Sequence, residues 1–139
     1  MDYEGEDRSF DVTDYYSPEM GTGLLRRIVG FQDLTCPSQL ATAKKKCNQI
    51  EQTLSQHGKR RINLDVGTLD LGKIVLASYK EGANKIYLQD GVYADCIAVY
   101  RNGRFEYPQW TFPDISDARY EEDFRAIRSA YRQQLRSSG

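Results

Sequence analysis

Two stretches of the chain carry apolar side chains at helical spacing, and the sequence predicts a helix in each. The first covers residues 38–57, between Pro37 and Gly58, and places Lys44, Lys45 and Lys46 on its polar side. The second covers residues 117–136, where acidic residues precede arginines as the helix dipole favours, with Ser116 or Asp117 as its cap. The predicted buried stripes are Leu40, Ala43, Cys47, Ile50 and Leu54 in the first helix and Tyr120, Phe124, Ile127, Tyr131 and Leu135 in the second.

Between these helices the pattern changes to that of β-strands. Residues 62–64, 74–79, 85–88, 92–100 and 104–107 are rich in β-branched, aliphatic and aromatic residues, and 10–13 and 27–31 are shorter candidates. Asp90-Gly91 and Asn102-Gly103 separate the last three long runs, and both dipeptides favour tight hairpin turns. We therefore predict an α+β fold: a mostly antiparallel sheet with a β-meander in the C-terminal half and two packed helices.

Length and charge limit the organisation of the chain. Its 139 residues suit one domain, predicted at 9–136, with an acidic flexible arm at 1–8 and a disordered tail at 137–139. The net charge of −1 gives no strong nucleic-acid signal. No apolar run reaches the ~18–20 residues of a membrane span, so we expect no membrane partner and a cytoplasmic location.

The single histidine and three cysteines exclude several kinds of site. They have no spacing that suits tetrahedral zinc, so no metal site is expected, and His57 ends a helix where it has no role as a catalytic base. The segment Gly67–Lys73 matches the G-x-x-x-x-G-K pattern of a phosphate-binding loop. Ile74 follows where Ser or Thr would ligate Mg²⁺, and a strand follows where a helix would hold phosphate. We therefore interpret this segment as a connection between strands, and the arginines at 125, 128, 132 and 136 as a solvated helix face.

Carboxylates, phenols and cations are concentrated in a few segments, which predicts a polar cleft. The candidate ligand-binding residues are Asp14, Tyr15, Glu19, Arg27, Asn63, Asp65, Lys73 and Lys80. One hypothesis is a module that binds an unknown small molecule or protein without chemistry. The alternative is a hydrolase or transferase acting on a phosphorylated or nucleotide substrate, with Asp65 or Asp14 as base or Mg²⁺ ligand and Lys73 or Lys80 neutralising phosphate. The sequence identifies neither catalytic residues nor a cofactor.

Several motifs occur together in a fixed order along nearly the whole chain. They are Phe10–Tyr16, Glu19–Gly21, Arg61–Asp65, Lys73–Ala77, Ile86–Leu88, Gly91–Ala94 and Trp110–Asp114. In this order they resemble an uncharacterised bacterial and archaeal family, one of the domains of unknown function. The resemblance implies no activity, and the "GTP-binding" label of some members is not supported by the loop at Gly67–Lys73.

The chain also departs from the family pattern. Pro, an aromatic residue and Ser or a similar residue are typical where this chain has Val66, Thr68 and Gly72, and a His is typical near Asn84. Family members typically begin with a further strand and helix, which would cover part of the sheet. Because an uncovered sheet edge recruits partners, we expect this chain to self-associate or to be marginally stable, and its start to lie upstream.

Overall fold

The computed structural model describes residues 2–11, 13 and 15–139. The strands are β1 Tyr3–Glu4, β2 Arg8–Ser9, β3 Leu25–Arg26, β4 Val29–Gly30, β5 Gly67–Leu69, β6 Lys73–Ser78, β7 Lys85–Gln89, β8 Val92–Arg101 and β9 Arg104–Glu106. The helices are α1 Ser17–Met20, α2 Leu40–Thr53, α3 Pro113–Ser116 and α4 Glu121–Ser138, and a 3-10 turn at Pro37–Gln39 leads into α2. The predicted α+β class is confirmed.

Strand β8 is the centre of a five-stranded antiparallel sheet in which β5, β6, β8 and β7 are neighbours in that order. Strand β6 pairs along one edge of β8, with Lys73 opposite Val99 and Ser78 opposite Tyr93. The other edge takes β7 and β9 one after the other, because β8 has ten residues and β7 only five. The long central strand therefore holds both predicted hairpins.

Both hairpin turns have the residues and the backbone conformation that the sequence predicts. Asp90 and Gly91 have φ values of 53° and 77°, and Asn102 and Gly103 have values of 53° and 81°. Positive φ at two successive positions is the signature of the type I′ turn, whose twist matches that of the flanking strands. These turns fix the register of β7, β8 and β9 locally.

Two apolar clusters hold the helices on the sheet. The larger joins the sheet to α3 and α4 and consists of Ile74, Ile97, Ala98, Phe105, Ile115, Tyr120 and Phe124. The smaller joins α2 to the sheet through Leu40, Ala41, Ala77 and Val92. Strand β6 contributes to both, since Ile74 lies in the larger cluster and Ala77 in the smaller. The sheet thus fixes α2 relative to α3 and α4.

The buried face of α2 follows the predicted apolar stripe only at its start, where Leu40 is buried. Ile50 and Leu54 of that stripe are exposed, whereas Lys44 and Glu51 are buried together with Leu40. Lys44 and Glu51 are turned inward because they hydrogen-bond the segment that follows the helix. The prediction that Lys44 lies with Lys45 and Lys46 on the polar side of the helix, opposite the buried stripe, is wrong for Lys44.

Two of the predicted strands do not form. Residues 62–64 are in no strand, because the backbone N–H and C=O of Leu64 bond to side chains of α2 instead of a neighbouring strand. Of residues 10–13, Phe10, Asp11 and Thr13 are in no strand and Val12 lies outside the described residues. The strand pairing in this region instead involves the two preceding residues, Arg8 and Ser9 of β2, which pair with β3.

The acidic N-terminal segment has pairing partners in the structure. Strand β1 pairs with β4 and β2 pairs with β3, so residues 3–9 run beside residues 25–30. Glu4 and Asp7 both contact the guanidinium of Arg27, which offsets the mutual repulsion of the acids. The division into an arm, a domain and a tail stays a prediction, but α4 extends as far as Ser138.

The C-terminal helix begins later than predicted. Pro113 starts the separate short helix α3, Ala118 then takes a left-handed conformation with φ of 68°, and α4 begins at Glu121. Tyr120 stands at the cap position of α4 without a side-chain capping bond. Asp117 does not cap the helix because its carboxylate binds Arg119, at 2.7 Å. The acidic first turn of α4 is present as predicted.

Candidate functional site

A cluster of charged and polar side chains lies where β3, α2, α3, the segment 60–66 and the loop 15–21, which contains the short helix α1, meet. Each member is joined to another member, directly or through the backbone of Leu64, by a hydrogen bond or ion pair. The set, which we call the polar cluster, is Glu19, Arg26, Lys44, Glu51, Arg60, Asn63, Asp65 and Asp114.

Arg60 organises one half of the polar cluster. Its Nε and Nη2 donate to the Glu19 carboxylate at 2.9 Å, and its Nη1 donates to Asn63 at 3.0 Å and to Glu51 at 3.2 Å. The carboxylates of Glu19 and Glu51 raise the pKa of Arg60, and Arg60 in turn lowers the pKa of Glu19. Arg60 therefore joins the loop 15–21, α2 and the segment 60–66 as one unit.

Helix α2 also holds the backbone of the segment 60–66, at Leu64. Glu51 accepts a hydrogen bond from the backbone N–H of Leu64 at 3.2 Å, and Lys44 donates to the backbone carbonyl of the same residue at 3.2 Å. Lys44 and Glu51 are seven residues apart, which is about two helical turns and places both on the same face. This arrangement fixes the position of Asp65, the next residue in the chain.

Arg26 organises the other half of the polar cluster. One of its guanidinium nitrogens donates to Asp114 Oδ2 at 2.9 Å, and the other lies 3.4 Å from Asp65 Oδ2. Asp114 is fully buried, and the Tyr120 hydroxyl donates to the same Oδ2 at 3.3 Å. Its other oxygen, Oδ1, is buried and accepts no hydrogen bond from the described residues. A buried carboxylate of this kind depends on its paired cation, Arg26.

Asp65 is the most loosely held carboxylate of the polar cluster. Its side chain is 38% exposed, whereas those of Glu51 and Asp114 are 5% and 0% exposed. Its nearest cations are Arg26 at 3.4 Å and Lys44 at 3.9 Å. Both distances exceed the 2.7–2.9 Å that is typical of a charge-assisted hydrogen bond. Asp65 therefore keeps acceptor capacity for another group.

Aromatic rings lie under the cations of this region. Arg26 stands over the Phe10 ring at 4.3 Å, Lys80 over Tyr15 at 4.5 Å, Lys44 over Tyr79 at 5.7 Å and Arg60 over Tyr16 at 5.8 Å. We call Tyr15, Tyr16 and Tyr79 the aromatic rim. Burial and the nearby carboxylate of Asp65 raise the pKa of Tyr16, so its phenol keeps its proton at neutral pH. Tyr15 is exposed and edge-on to Tyr16.

The structure brings together some of the predicted site residues and separates others. Glu19, Asn63 and Asp65 belong to the polar cluster. Tyr15 belongs to the aromatic rim, and Lys80 stands over its ring. Arg27, the residue after β3, instead pairs with Glu4 and Asp7, while Arg26 at the end of β3 pairs with Asp114 of the cluster. Lys73 lies at the β5–β6 turn, and Asp14 is outside the described residues. The binding role of these residues stays a prediction.

The sequence did not single out Lys44, Glu51, Arg60 and Asp114 as site residues. The sequence does contain a signal that Lys44 and Glu51 are buried. Their seven-residue spacing puts both on the same face of α2 as the buried Leu40. Arg60 and Asp114 follow irregular segments, where no helix or strand period indicates which way a side chain points.

The apparent phosphate-binding loop is a strand-to-strand turn, as interpreted from the sequence. Asp70 Oδ1 accepts hydrogen bonds from the backbone amides of Gly72 and Lys73, at 2.8 and 2.9 Å, and Oδ2 accepts one from Lys73 Nζ at 2.7 Å. A phosphate-binding loop needs such amides and its lysine for the anion. Here the carboxylate of Asp70 binds these amides and the lysine.

A family model described as "Domain of unknown function (DUF4416)" matches residues 1–131 of the chain. The chain belongs to this family. No curated protein and no solved structure matches the chain. The family resemblance predicted from the motifs is therefore confirmed, and the match brings no activity with it.

Two further observations concern ligands and membranes. Within residues 2–11, 13 and 15–139, no three carboxylate, thiol or imidazole side chains gather as metal ligands would. Among the helices of the same residues, none combines the length and the apolar character needed to cross a bilayer.

Proposed function

We propose that the chain is a binding module that holds a small, polar, uncharged ligand against the polar cluster, with Asp65 as the principal hydrogen-bond acceptor. The observation that carries this proposal is the state of Asp65, which is exposed and stands 3.4 and 3.9 Å from its two cations. The other carboxylates of the cluster are held at shorter distances by cations or are fully buried. Asp65 is thus the place where a ligand gains hydrogen bonds without breaking internal ones.

The charge balance of the region favours an uncharged ligand. The four carboxylates Glu19, Glu51, Asp65 and Asp114 are balanced by the cations of the cluster, Arg26, Lys44 and Arg60, together with Lys80 at the rim. A ligand with a net charge meets groups of both signs here and gains little Coulomb energy. A ligand with hydroxyl groups can donate to Asp65 and accept from Tyr16 or Arg60.

The aromatic rim supports a ligand with a flat face. Tyr15 is 63% exposed, and its ring is held by Lys80 on one side and by the edge contact with Tyr16. An exposed tyrosine offers a stacking surface at a small entropy cost, because its side chain has only two torsions. A nucleoside combines a stacking base with the hydroxyl groups of ribose, and adenosine is therefore the probe of choice.

The geometry favours binding over catalysis. Acid–base chemistry by paired carboxylates requires one of them to hold its proton near neutral pH. Arg60 has the opposite effect on Glu19, whose pKa it lowers. Lys73, assigned to phosphate in the enzymatic alternative, is bound to Asp70 away from the cluster. The free thiols of Cys36, Cys47 and Cys96 support a reducing compartment, and we place this binding function in the cytoplasm.

Thermal unfolding in the presence of adenosine tests the proposal. At 100 times its dissociation constant, a ligand adds about 2.7 kcal/mol to the free energy of unfolding, which raises the melting temperature measurably. We expect a saturable rise for the native chain and for the control Asp33→Asn, an exposed aspartate outside the cluster. The rise should be lost in Asp65→Asn. An equal rise in both variants would contradict a site at Asp65.

A further inference from the structure

A concave surface lies between α4 and the central strand β8. It is lined by Tyr100 of β8 and by Arg125, Ala126, Arg128, Ser129 and Arg132 of α4. We call this surface the arginine groove. It shares no residue with the polar cluster, and its three arginines are among the four that the sequence predicts to form a solvated helix face.

The central arginine of the groove is held in place before any ligand binds. Arg128 Nε donates to the backbone carbonyl of Leu71 at 2.9 Å, and its guanidinium lies 3.5 Å from the centre of the Tyr100 ring. The backbone N–H of Tyr100 in turn donates to Gly72 at 2.8 Å, so the ring is fixed against the β5–β6 turn. With Nε used, the terminal nitrogens of Arg128 keep their donors for an anion.

The charge of the groove is not neutralised by the part of the chain that the structure describes. Arg125, Arg128 and Arg132 form no ion pair there. Two of the three acids in the first turn of α4 are directed elsewhere, since Glu121 accepts from the Tyr107 hydroxyl and Asp123 from the Tyr3 hydroxyl. Guanidinium groups kept close together without carboxylates repel one another, and an anion between them removes that repulsion.

We propose that the arginine groove is a binding site for a small ligand that carries two or more linked phosphate groups. Arg125, Arg128 and Arg132 occupy successive turns of one helix face and span about 10 Å along the axis at ~1.5 Å per residue. A chain of phosphates contacts several of these residues at once, whereas a single phosphate contacts fewer. Arginine suits this task because its planar group bonds two phosphate oxygens together.

Calorimetric titration with sodium tripolyphosphate at low ionic strength tests this site. We expect one binding event per chain, weakened by added salt because the contacts are between charges. Citrate, which has several carboxylates but no phosphate, is the control for unspecific charge attraction, and inorganic phosphate is the control for chain length. Both should bind more weakly than tripolyphosphate.

Variants assign the binding to the groove. The double variant Arg125→Gln/Arg132→Gln removes two exposed guanidinium groups and should weaken tripolyphosphate binding at least about tenfold. Arg136→Gln lies on the same helix outside the groove and should leave the affinity close to unchanged. Melting temperatures of the variants establish that α4 still folds.

Several outcomes would overturn the proposal. No heat of binding with the native chain, or an equal loss of affinity in Arg136→Gln, would show that the groove is no phosphate site. If citrate bound as tightly as tripolyphosphate, the binding in the groove would be unspecific charge attraction and not recognition of phosphate. A short single-stranded RNA that binds through the same arginines while tripolyphosphate does not would replace the small ligand by a nucleic acid.

Discussion

Arg60 holds Glu19 through both its backbone amide and its guanidinium, each with a hydrogen bond of 2.9 Å. The two residues are separated by 41 positions in the chain. Their contact closes the loop 15–21 onto the segment 60–66, and Glu51 of α2 shares the same guanidinium. The order of this half of the polar cluster thus depends on the side chain of Arg60.

Replacing Arg60 by Gln should destabilise the fold by about 2–3 kcal/mol, because the buried Glu51 and the carboxylate of Glu19 lose their cation. Chemical denaturation measures this loss. Arg61→Gln, at an exposed neighbouring position, should change the free energy of unfolding by less than ~0.5 kcal/mol. Equal effects of the two substitutions would show that the network around Arg60 is not structural.

The Glu19–Arg60 pair should make stability depend on acid pH. Arg60 lowers the pKa of Glu19 below its value of ~4.3 in an unfolded chain, so the folded state favours the ionised form. The stabilisation by Glu19 is therefore complete above that unfolded pKa and is lost as the pH falls through the lower, folded pKa.

Denaturation of Glu19→Gln beside the native chain measures this dependence. The gap in free energy of unfolding should be constant from pH 7 to about 5 and should shrink below about 4. Glu6→Gln, at an exposed residue, serves as the control. A gap for Glu19→Gln that stays the same down to pH 3 would mean that its carboxylate is not the group that Arg60 stabilises.

The turn between β8 and β9 should tolerate glycine at its first position but not valine at its second. Gly103 has φ of 81°, and a β-branched side chain is strained there, so Gly103→Val should cost more than ~1 kcal/mol. Asn102→Gly keeps the required conformation and should change the denaturation midpoint little. An unchanged midpoint for Gly103→Val would place the turn elsewhere in solution.

Lys73 should have no role in nucleotide binding. Its ammonium is exposed and paired with Asp70, so Lys73→Ala should change stability by less than ~1 kcal/mol. Any thermal shift with ATP or GTP should not require Mg²⁺ and should be unaffected by Lys73→Ala, and it should fall in Arg125→Gln/Arg132→Gln. A Mg²⁺-dependent shift that Lys73→Ala abolishes would show that the segment Gly67–Lys73 is a phosphate-binding loop after all.

Sequence reasoning was most successful where local signals decide the structure. Each turn, at Asp90-Gly91 and at Asn102-Gly103, depends on the backbone preferences of its own two residues. The two turns also mark the ends of the long strand between them. The acidic start of α4 is a local electrostatic signal of the same kind. These features need no knowledge of distant neighbours.

The errors arose where tertiary contacts override the local pattern. The helical period of α2 suggests that Ile50 is buried, yet Glu51 is buried instead, because Arg60 and the amide of Leu64 lie opposite it. Ile62 and Leu64 are apolar at the alternating positions of a strand, but side chains of α2 bond the backbone N–H and C=O of Leu64. The polar cluster could be predicted only in part for the same reason, since Arg60 and Asp114 gain their positions from partners far away in the chain.

Two-dimensional NMR of the ¹⁵N-labelled chain during titration with adenosine tests most directly whether the polar cluster is a binding site. The predicted result is a saturable shift of amide signals in the loop 15–21 and the segment 60–66, with little change along α4. The same titration of Asp65→Asn should produce no saturable shift, while Asp33→Asn should behave like the native chain. Absence of saturable shifts in the native chain, or shifts confined to residues outside these two segments, would contradict binding at the polar cluster.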